Sequence, residues 1–132
     1  MNDLRLEYSR ALASLDVERL VGTLADDVTI RVAVHDEAMQ GREVASFLFA
    51  VLSEELGSMD VTGEIVEGER AVVLFETEIR GLAAQGVNVV EASGETVQEI
   101  TVYFRPLPAL QRIAEVIGAR MAERFGALSP GS

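Results

Sequence analysis

Cysteine is absent from the sequence, which excludes disulfides, catalytic thiolates and cysteine-ligated metal sites. Basic residues are also scarce: 11 Lys and Arg stand against 22 Asp and Glu, for a formal net charge of −11. Because phosphate backbones and anionic membrane surfaces bind clustered basic side chains, we expect neither a nucleic acid nor a membrane as a partner. No apolar run is long enough to span a bilayer, and the first residues lack the pattern of a signal peptide. A reducing cytoplasm fits this composition.

The length and the hydrophobic content predict one folded domain. The chain has 132 residues, of which 48% are hydrophobic, and this is enough for a substantial core. We assign residues 1–128 to the domain and residues 129–132 to a flexible tail.

The stretch Gly86–Leu107 organises the chain. Valines dominate its first part, Ala92–Glu95 carries turn residues, and residues 100–105 alternate between apolar and polar side chains. Pro106 is suited to the first turn of a helix. This pattern predicts two paired strands followed by a helix. A polar residue, Asn88, interrupts the apolar sequence of the first strand.

The remaining elements predict an α+β fold. Helices come first and sequential hairpins follow, which is typical of a largely antiparallel sheet with helices on one face. We expect a cone-shaped roll, made of a curved sheet, N-terminal helices and an extra C-terminal helix. The predicted elements are a helix from Leu4 to Leu15 capped by Asp3, a helix capped by Asp16 and ended by Asp26-Asp27, a strand Val28–Val34, a polar loop His35–Gln40, a helix from Gly41 to a Gly57 C-cap, strands Val61–Val66 and Arg70–Arg80, and a helix Pro106–Phe125.

Four segments resemble the nuclear transport factor 2-like superfamily, and are closest to its SnoaL-like and ketosteroid isomerase-like branches. They are Tyr8–Val28, Gln40–Glu43, Gly86–Val89 and Ile100–Leu107, and together the resemblance covers nearly the whole chain. The resemblance implies the same cone. It also implies a dimer that holds a small hydrophobic molecule inside it.

The resemblance also implies roles for particular residues. In the isomerase-like branch a first-helix tyrosine donates a hydrogen bond to the substrate oxygen, and Tyr8 falls at that position. A second donor, a protonated acid, falls at Asn88, and the aspartate base falls at Val32. The epoxide hydrolase branch places its acids at Asn88 and near Arg105. The chain therefore departs from both patterns, which argues against ketosteroid isomerisation by the usual mechanism.

We predict a cavity in which Tyr8 and Asn88 are the catalytic residues and orient a substrate oxygen. The alternatives are that Tyr8 is a core aromatic, and that Asn88 pairs with backbone at a bulge or faces solvent. The predicted substrate-binding residues lie on the inner faces of strands: Ile30, Val32, Val34, Phe75, Thr77, Val90, Ile100, Val102 and Phe104.

Neither a metal nor a cofactor is predicted. His35 is the one histidine and lies in a polar loop, and a lone histidine does not make a metal site of the usual kinds. Phosphate-binding glycine loops and hydrolase triads are absent from the sequence. In the same loop, Met39 is either a cavity-rim residue or an ordinary loop residue.

A charged row on one strand is expected to face outward. Glu76, Glu78 and Arg80 alternate with apolar neighbours, so the row faces solvent or a second subunit. Arg31 and Arg105 fall on outward positions and are expected to pair with these acids. We expect a homodimer through this open sheet face, where Thr101 and Tyr103 would otherwise be exposed.

Three functions stay open. The first is a cofactor-independent isomerase, cyclase or epoxide hydrolase acting on a hydrophobic carbonyl, enol or epoxide compound, such as one from secondary metabolism. The second is a non-catalytic protein that binds a hydrophobic ligand. The third is a dimeric interaction module whose last helix fills the cone. Cavity volume distinguishes the third from the others, and ligand turnover distinguishes the first two.

Overall fold

The computed structural model describes residues 4–33 and 37–125. Within them, four helices and six strands follow one another, and they keep the predicted order apart from one additional short strand, Met39–Gln40. The elements are α1 (Leu4–Ser14), α2 (Val17–Gly22), β1 (Leu24–Arg31), β2 (Met39–Gln40), α3 (Arg42–Glu55), β3 (Leu56–Glu67), β4 (Arg70–Ile79), β5 (Leu82–Ser93), β6 (Thr96–Arg105) and α4 (Leu107–Phe125).

The strands form a single sheet in the order β2-β1-β6-β5-β4-β3. Strands β3 to β6 are joined by successive antiparallel pairings, whereas β1 lies parallel to β6. The helices pack on one face of this curved sheet, so the predicted α+β cone is confirmed. Of the described helices, none is both long and apolar enough to cross a membrane.

The two faces of the sheet differ in chemistry because side chains alternate along each strand. On β4, Phe75, Thr77 and Ile79 are buried, whereas Glu76 and Glu78 are exposed, as the alternation predicts. The helices bury matching apolar stripes against the inner face. On α4 this stripe consists of Ala109, Ile113, Val116, Ile117 and Met121.

The prediction that Arg31 and Arg105 pair with the acidic residues of β4 is wrong. Arg31 pairs with Glu99 of the neighbouring strand at 2.7 Å. The Arg105 guanidinium donates to the Gln85 side-chain oxygen at 2.6 Å. Arg80 reaches Glu55 at the end of α3. Cross-strand neighbours and a helix end satisfy these arginines, so they do not pair with the acids on β4.

The second helix ends earlier than predicted, and β1 begins earlier. Asp16 caps the helix as predicted, with its side chain accepting from the Arg19 backbone N–H. At the other end of the helix, the Thr23 hydroxyl donates to the Leu20 carbonyl. The Thr23 carbonyl accepts a hydrogen bond from the backbone N–H of Val97 on β6. This pairing draws residues 24–27 into the sheet. Asp26-Asp27 therefore lie on β1 and do not end the helix.

Two further boundaries were wrong. Residues 39–40 form the edge strand β2, paired with Thr29 and Ile30, rather than a polar loop, and Met39 packs against the core. Gly57 is not a helix cap, because α3 passes directly into β3 at Leu56. Gly57 lies instead where the Glu78 side chain comes close, since an added Cβ would be 2.8 Å from its carboxylate.

Some predictions fall outside the described residues. These are the Asp3 cap, the loop residue His35, the predicted lining residue Val34 and the tail at residues 129–132.

Candidate ligand-binding site

A cavity of about 50 Å³ lies between the inner face of the sheet and helices α1, α3 and α4. Its walls are apolar except at one side chain, Asn88. Seven predicted site residues line it: Ile30, Val32, Phe75, Asn88, Ile100, Val102 and Phe104.

Three predicted lining residues are buried elsewhere. Thr77 donates its hydroxyl to the Ser58 carbonyl of the adjacent strand, so it serves the sheet rather than the cavity. Val90 is fully buried in the core and is not part of the cavity wall. Tyr8 is also fully buried and outside the lining, but it contacts the cavity through Asn88.

The helical part of the lining was missed from the sequence. It includes Leu12 of α1, three residues of α3 and two of α4, namely Leu48, Phe49, Leu52, Ile113 and Ile117. All of these residues except Phe49 recur at helical spacing in the sequence, which predicts a buried helix face. The stripes identify buried faces, but they do not reveal which residues border an unfilled space.

Asn88 and Tyr8 contact each other directly. The Asn88 Nδ2 donates to the Tyr8 hydroxyl oxygen at 2.9 Å. Both side chains are buried, with 4% and 0% of their surface exposed. Burial raises the pKa of Tyr8, and the hydrogen bond from Asn88 offsets only part of this effect. The phenol therefore stays neutral at physiological pH and cannot act as a base there.

The Asn88 Oδ1 has no hydrogen-bond partner among the described residues. A buried polar atom without a partner costs about 1–3 kcal/mol, so native structures seldom keep one without a reason. The cavity thus presents one hydrogen-bond acceptor in an otherwise apolar lining. An acceptor of this kind matches a ligand group that donates, such as an alcohol or enol O–H.

The lining contains no titratable side chain among the described residues. Val32 forms part of the wall at the position where the resemblance expects the aspartate base. Within the described chain, no cluster of acidic or histidine side chains is arranged to hold a metal ion. The chemistry that these described walls offer is orientation of a ligand oxygen.

A second concavity of about 370 Å³ lies on the opposite, outer face of the sheet. It is an open groove above Gly86, bordered by Leu74, Val87 and the ring of Tyr103, which is 57% exposed. Glu76 and Arg105 contribute one charge of each sign to its lining.

Comparison with known proteins places the fold. No protein-family model and no curated protein sequence matches the chain. A solved bacterial protein with a cystatin-like fold from Silicibacter pomeroyi superposes with a TM-score of 0.86 at 20% identity, covering 95% of this chain and 91% of that one. A steroid delta-isomerase from Pseudomonas aeruginosa gives 0.82 at 19% identity, with coverages of 94% and 93%. A nuclear transport factor 2-like protein from Cytophaga hutchinsonii gives 0.65 at 18%, with 81% and 91%.

These similarities show that the chain has the nuclear transport factor 2-like fold, which the steroid delta-isomerase shares. The resemblance read from the sequence is confirmed at that level. A shared fold carries many functions, so function has to be argued from the site.

Proposed function

We propose that the protein binds a small hydrophobic molecule in the cone and holds its hydroxyl or enol group at Asn88. The observation that carries this proposal is the buried, unpartnered Asn88 Oδ1 in an apolar cavity. A ligand O–H pairs that oxygen and removes a penalty of about 1–3 kcal/mol. The apolar part of the ligand replaces contacts that the cavity walls now lack.

The small volume of the cavity limits the size of the ligand that fits. A cavity needs roughly 10–15 Å³ for each water-sized occupant, so about 50 Å³ holds a ligand of only a few heavy atoms. Tight binding is not expected for so small a molecule, since each heavy atom contributes at most about 1.5 kcal/mol.

The test compares 2-propanol with acetone, which has the same number of heavy atoms but no O–H to donate. We expect methyl signals of Ile100, Val102 and Ile113 to shift on titration with 2-propanol in ¹³C-methyl NMR. The affinity for 2-propanol should exceed that for acetone by about fivefold or more, the effect of one hydrogen bond. Asn88→Leu should remove this preference. Equal binding of both compounds, or no shift of cavity methyls, would contradict the proposal.

A second candidate is a cofactor-independent enzyme of the isomerase, cyclase or epoxide hydrolase class. The favouring observation is that Asn88, on the wall of an apolar cavity, is held by a hydrogen bond to the buried Tyr8 behind it. Such a pair can position an enol or alcohol oxygen, and placement alone contributes to a cyclisation. Turnover of an unsaturated ketone or epoxide that is lost in Asn88→Leu supports this candidate. Binding without turnover supports the binding protein alone.

We also propose a homodimer through the outer sheet face. The groove above Gly86 combines exposed apolar surface with Glu76 and Arg105. In a twofold arrangement Glu76 of one copy can face Arg105 of the other, so this patch does not repel a second acidic chain. Light scattering at micromolar concentration should show a dimer, and Tyr103→Glu should shift it to monomer. A wild-type monomer at that concentration contradicts the dimer.

We place the action of the protein in the reducing cytoplasm, which the cysteine-free sequence fits.

A further inference from the structure

Helix α4 forms one wall of the cavity. Ile113 and Ile117 point from this helix into the lining, and their side chains are nearly fully buried. Binding pockets for drug-sized molecules usually measure about 300–1,000 Å³, whereas this cavity measures about 50 Å³. Any ligand larger than a few heavy atoms therefore requires a wall to move.

The strand walls of the cavity are held more firmly than α4. Strands β1, β4, β5 and β6 are each hydrogen-bonded to neighbours on both sides, and displacing one breaks a ladder. Helix α4 instead follows the last strand and packs on the sheet through side chains, with the stripe that includes Ile113, Ile117 and Met121.

A group of charged residues fastens α4 to the rest of the domain. Arg120 of α4 pairs with Glu54 at 3.0 Å and with Glu55 at 3.5 Å, both at the end of α3. The other oxygen of Glu55 accepts from Arg80 at 2.8 Å, at the end of β4. We call these four residues the clasp. Glu55 has only 15% of its side chain exposed, whereas the side chains of Glu54 and Arg80 are more than half exposed.

We infer that α4 is a movable lid over the cavity, that Ile113 and Ile117 set the size of the ligand accepted, and that the clasp controls how often the lid opens. This inference rests on the proposed function and deepens it. Ligands of a few heavy atoms enter the closed cavity, and larger hydrophobic alcohols bind only to the open state. Their apparent affinity is reduced by the fraction of time that the lid is closed.

The first experiment measures how fast 2-naphthol binds, by stopped-flow detection of its own fluorescence, which this tryptophan-free chain leaves clear. The observed rate should level off at high naphthol concentration, at the rate of lid opening. Arg120→Gln breaks the clasp and should raise this plateau about threefold or more. Arg31→Gln is the matched control, because Arg31 pairs with Glu99 on the outer face, away from α4.

The second experiment measures capacity. Ile117→Ala enlarges the cavity, and an engineered apolar cavity of about 150 Å³ is large enough for benzene. The affinity for 2-naphthol relative to 2-propanol should therefore rise at least tenfold. Val116→Ala is the matched control, since Val116 is equally buried on α4 but does not line the cavity. It should leave the ratio within about twofold.

The outcomes separate the lid from the binding function itself. A binding rate that stays proportional to naphthol concentration, or a plateau that Arg120→Gln leaves unchanged, overturns the lid. So does a wild-type protein that binds 2-propanol but never 2-naphthol, because α4 is then a fixed wall. If instead 2-propanol fails to bind at Asn88, the proposed function fails first.

Discussion

The buried Tyr8–Asn88 pair predicts an unusual order of stabilities. In the wild type the Asn88 Nδ2 is paired with Tyr8, and Oδ1 is not paired. Tyr8→Phe removes the partner of Nδ2, which leaves both polar atoms of the amide unpaired in an apolar site. Because each such atom costs about 1–3 kcal/mol, we expect this substitution to lower the free energy of unfolding by about that amount.

The substitution at the other end of the pair should behave differently. Asn88→Leu removes the unpaired Oδ1, which is favourable, but it leaves the Tyr8 hydroxyl unpaired, which is unfavourable by a similar amount. The net change should lie near zero. In the double variant all of these polar atoms are gone. Relative to the wild type, the double variant loses the net contribution of the Asn88–Tyr8 hydrogen bond, about 0.5–1.5 kcal/mol. It also loses the penalty of the unpaired Asn88 Oδ1, about 1–3 kcal/mol.

The double variant should therefore be about 1 kcal/mol more stable than the wild type, and the two sites should show a coupling energy of about 2–3 kcal/mol. Urea unfolding followed by far-ultraviolet circular dichroism measures all four free energies. Tyr103→Phe is the control, because this other tyrosine is 57% exposed within a single copy of the chain. The reasoning is refuted if Tyr8→Phe is as stable as the wild type, or if the double variant is the least stable of the set.

Further substitutions test other parts of the structure. In Asn88→Asp the new carboxyl is buried, which raises its pKa. The free energy of unfolding of this variant should therefore fall as the pH rises above about 3.9, the ordinary Asp value, whereas that of the wild type should not. Gly86→Ala should lower the free energy of unfolding by about 1–3 kcal/mol, because the new Cβ would lie 2.5 Å from the Phe75 ring and 2.8 Å from a backbone oxygen; an unchanged urea midpoint would contradict this packing. Truncation after Leu107 should remove several buried aliphatic side chains of α4, each worth about 1.5–3 kcal/mol, and an unchanged melting temperature would show that α4 does not pack as described. The hydrogen bond from Arg80 holds the pKa of Glu55 below its ordinary value. The stability that this carboxylate contributes above about pH 4.3 is therefore lost in acid. In urea titrations, the free energy of unfolding of Glu55→Gln should differ less between about pH 7 and about pH 3.5 than that of the wild type.

The strand residues of the site could be predicted because side chains two residues apart on a strand lie on the same face of the sheet. Ile100, Val102 and Phe104 share a face in the sequence, and they share the cavity wall in the structure. Asn88 was identified for a related reason, since a polar residue on an inward strand position requires a partner. Thr77 shows the limit of this rule. It lies on the inner face of its strand, but its hydroxyl donates a hydrogen bond to the neighbouring strand and does not line the cavity.

The helix half could not be predicted in the same way. The spacing of Ile113 and Ile117 predicts a buried helix face, but where a helix leaves unfilled space depends on how three helices meet over a curved sheet. The start of β1 was missed for a similar reason, because the pairing of Thr23 with Val97 joins positions far apart in the chain. The direct Asn88–Tyr8 bond likewise joins residues 80 positions apart. Contacts of this range leave no local pattern.

The parallel pairing of β1 with β6 has a consequence for the order in which the domain folds. Strands β3 to β6 are sequential neighbours and can pair by short turns, but β1 must wait for β6, the last strand made. Ile30 meets Ile100 only after the intervening chain has been ordered, and closing so long a loop slows folding. We therefore expect the meander of β3–β6 to form early, the N-terminal segment to dock on it afterwards, and the cavity to be the last feature to acquire its final shape.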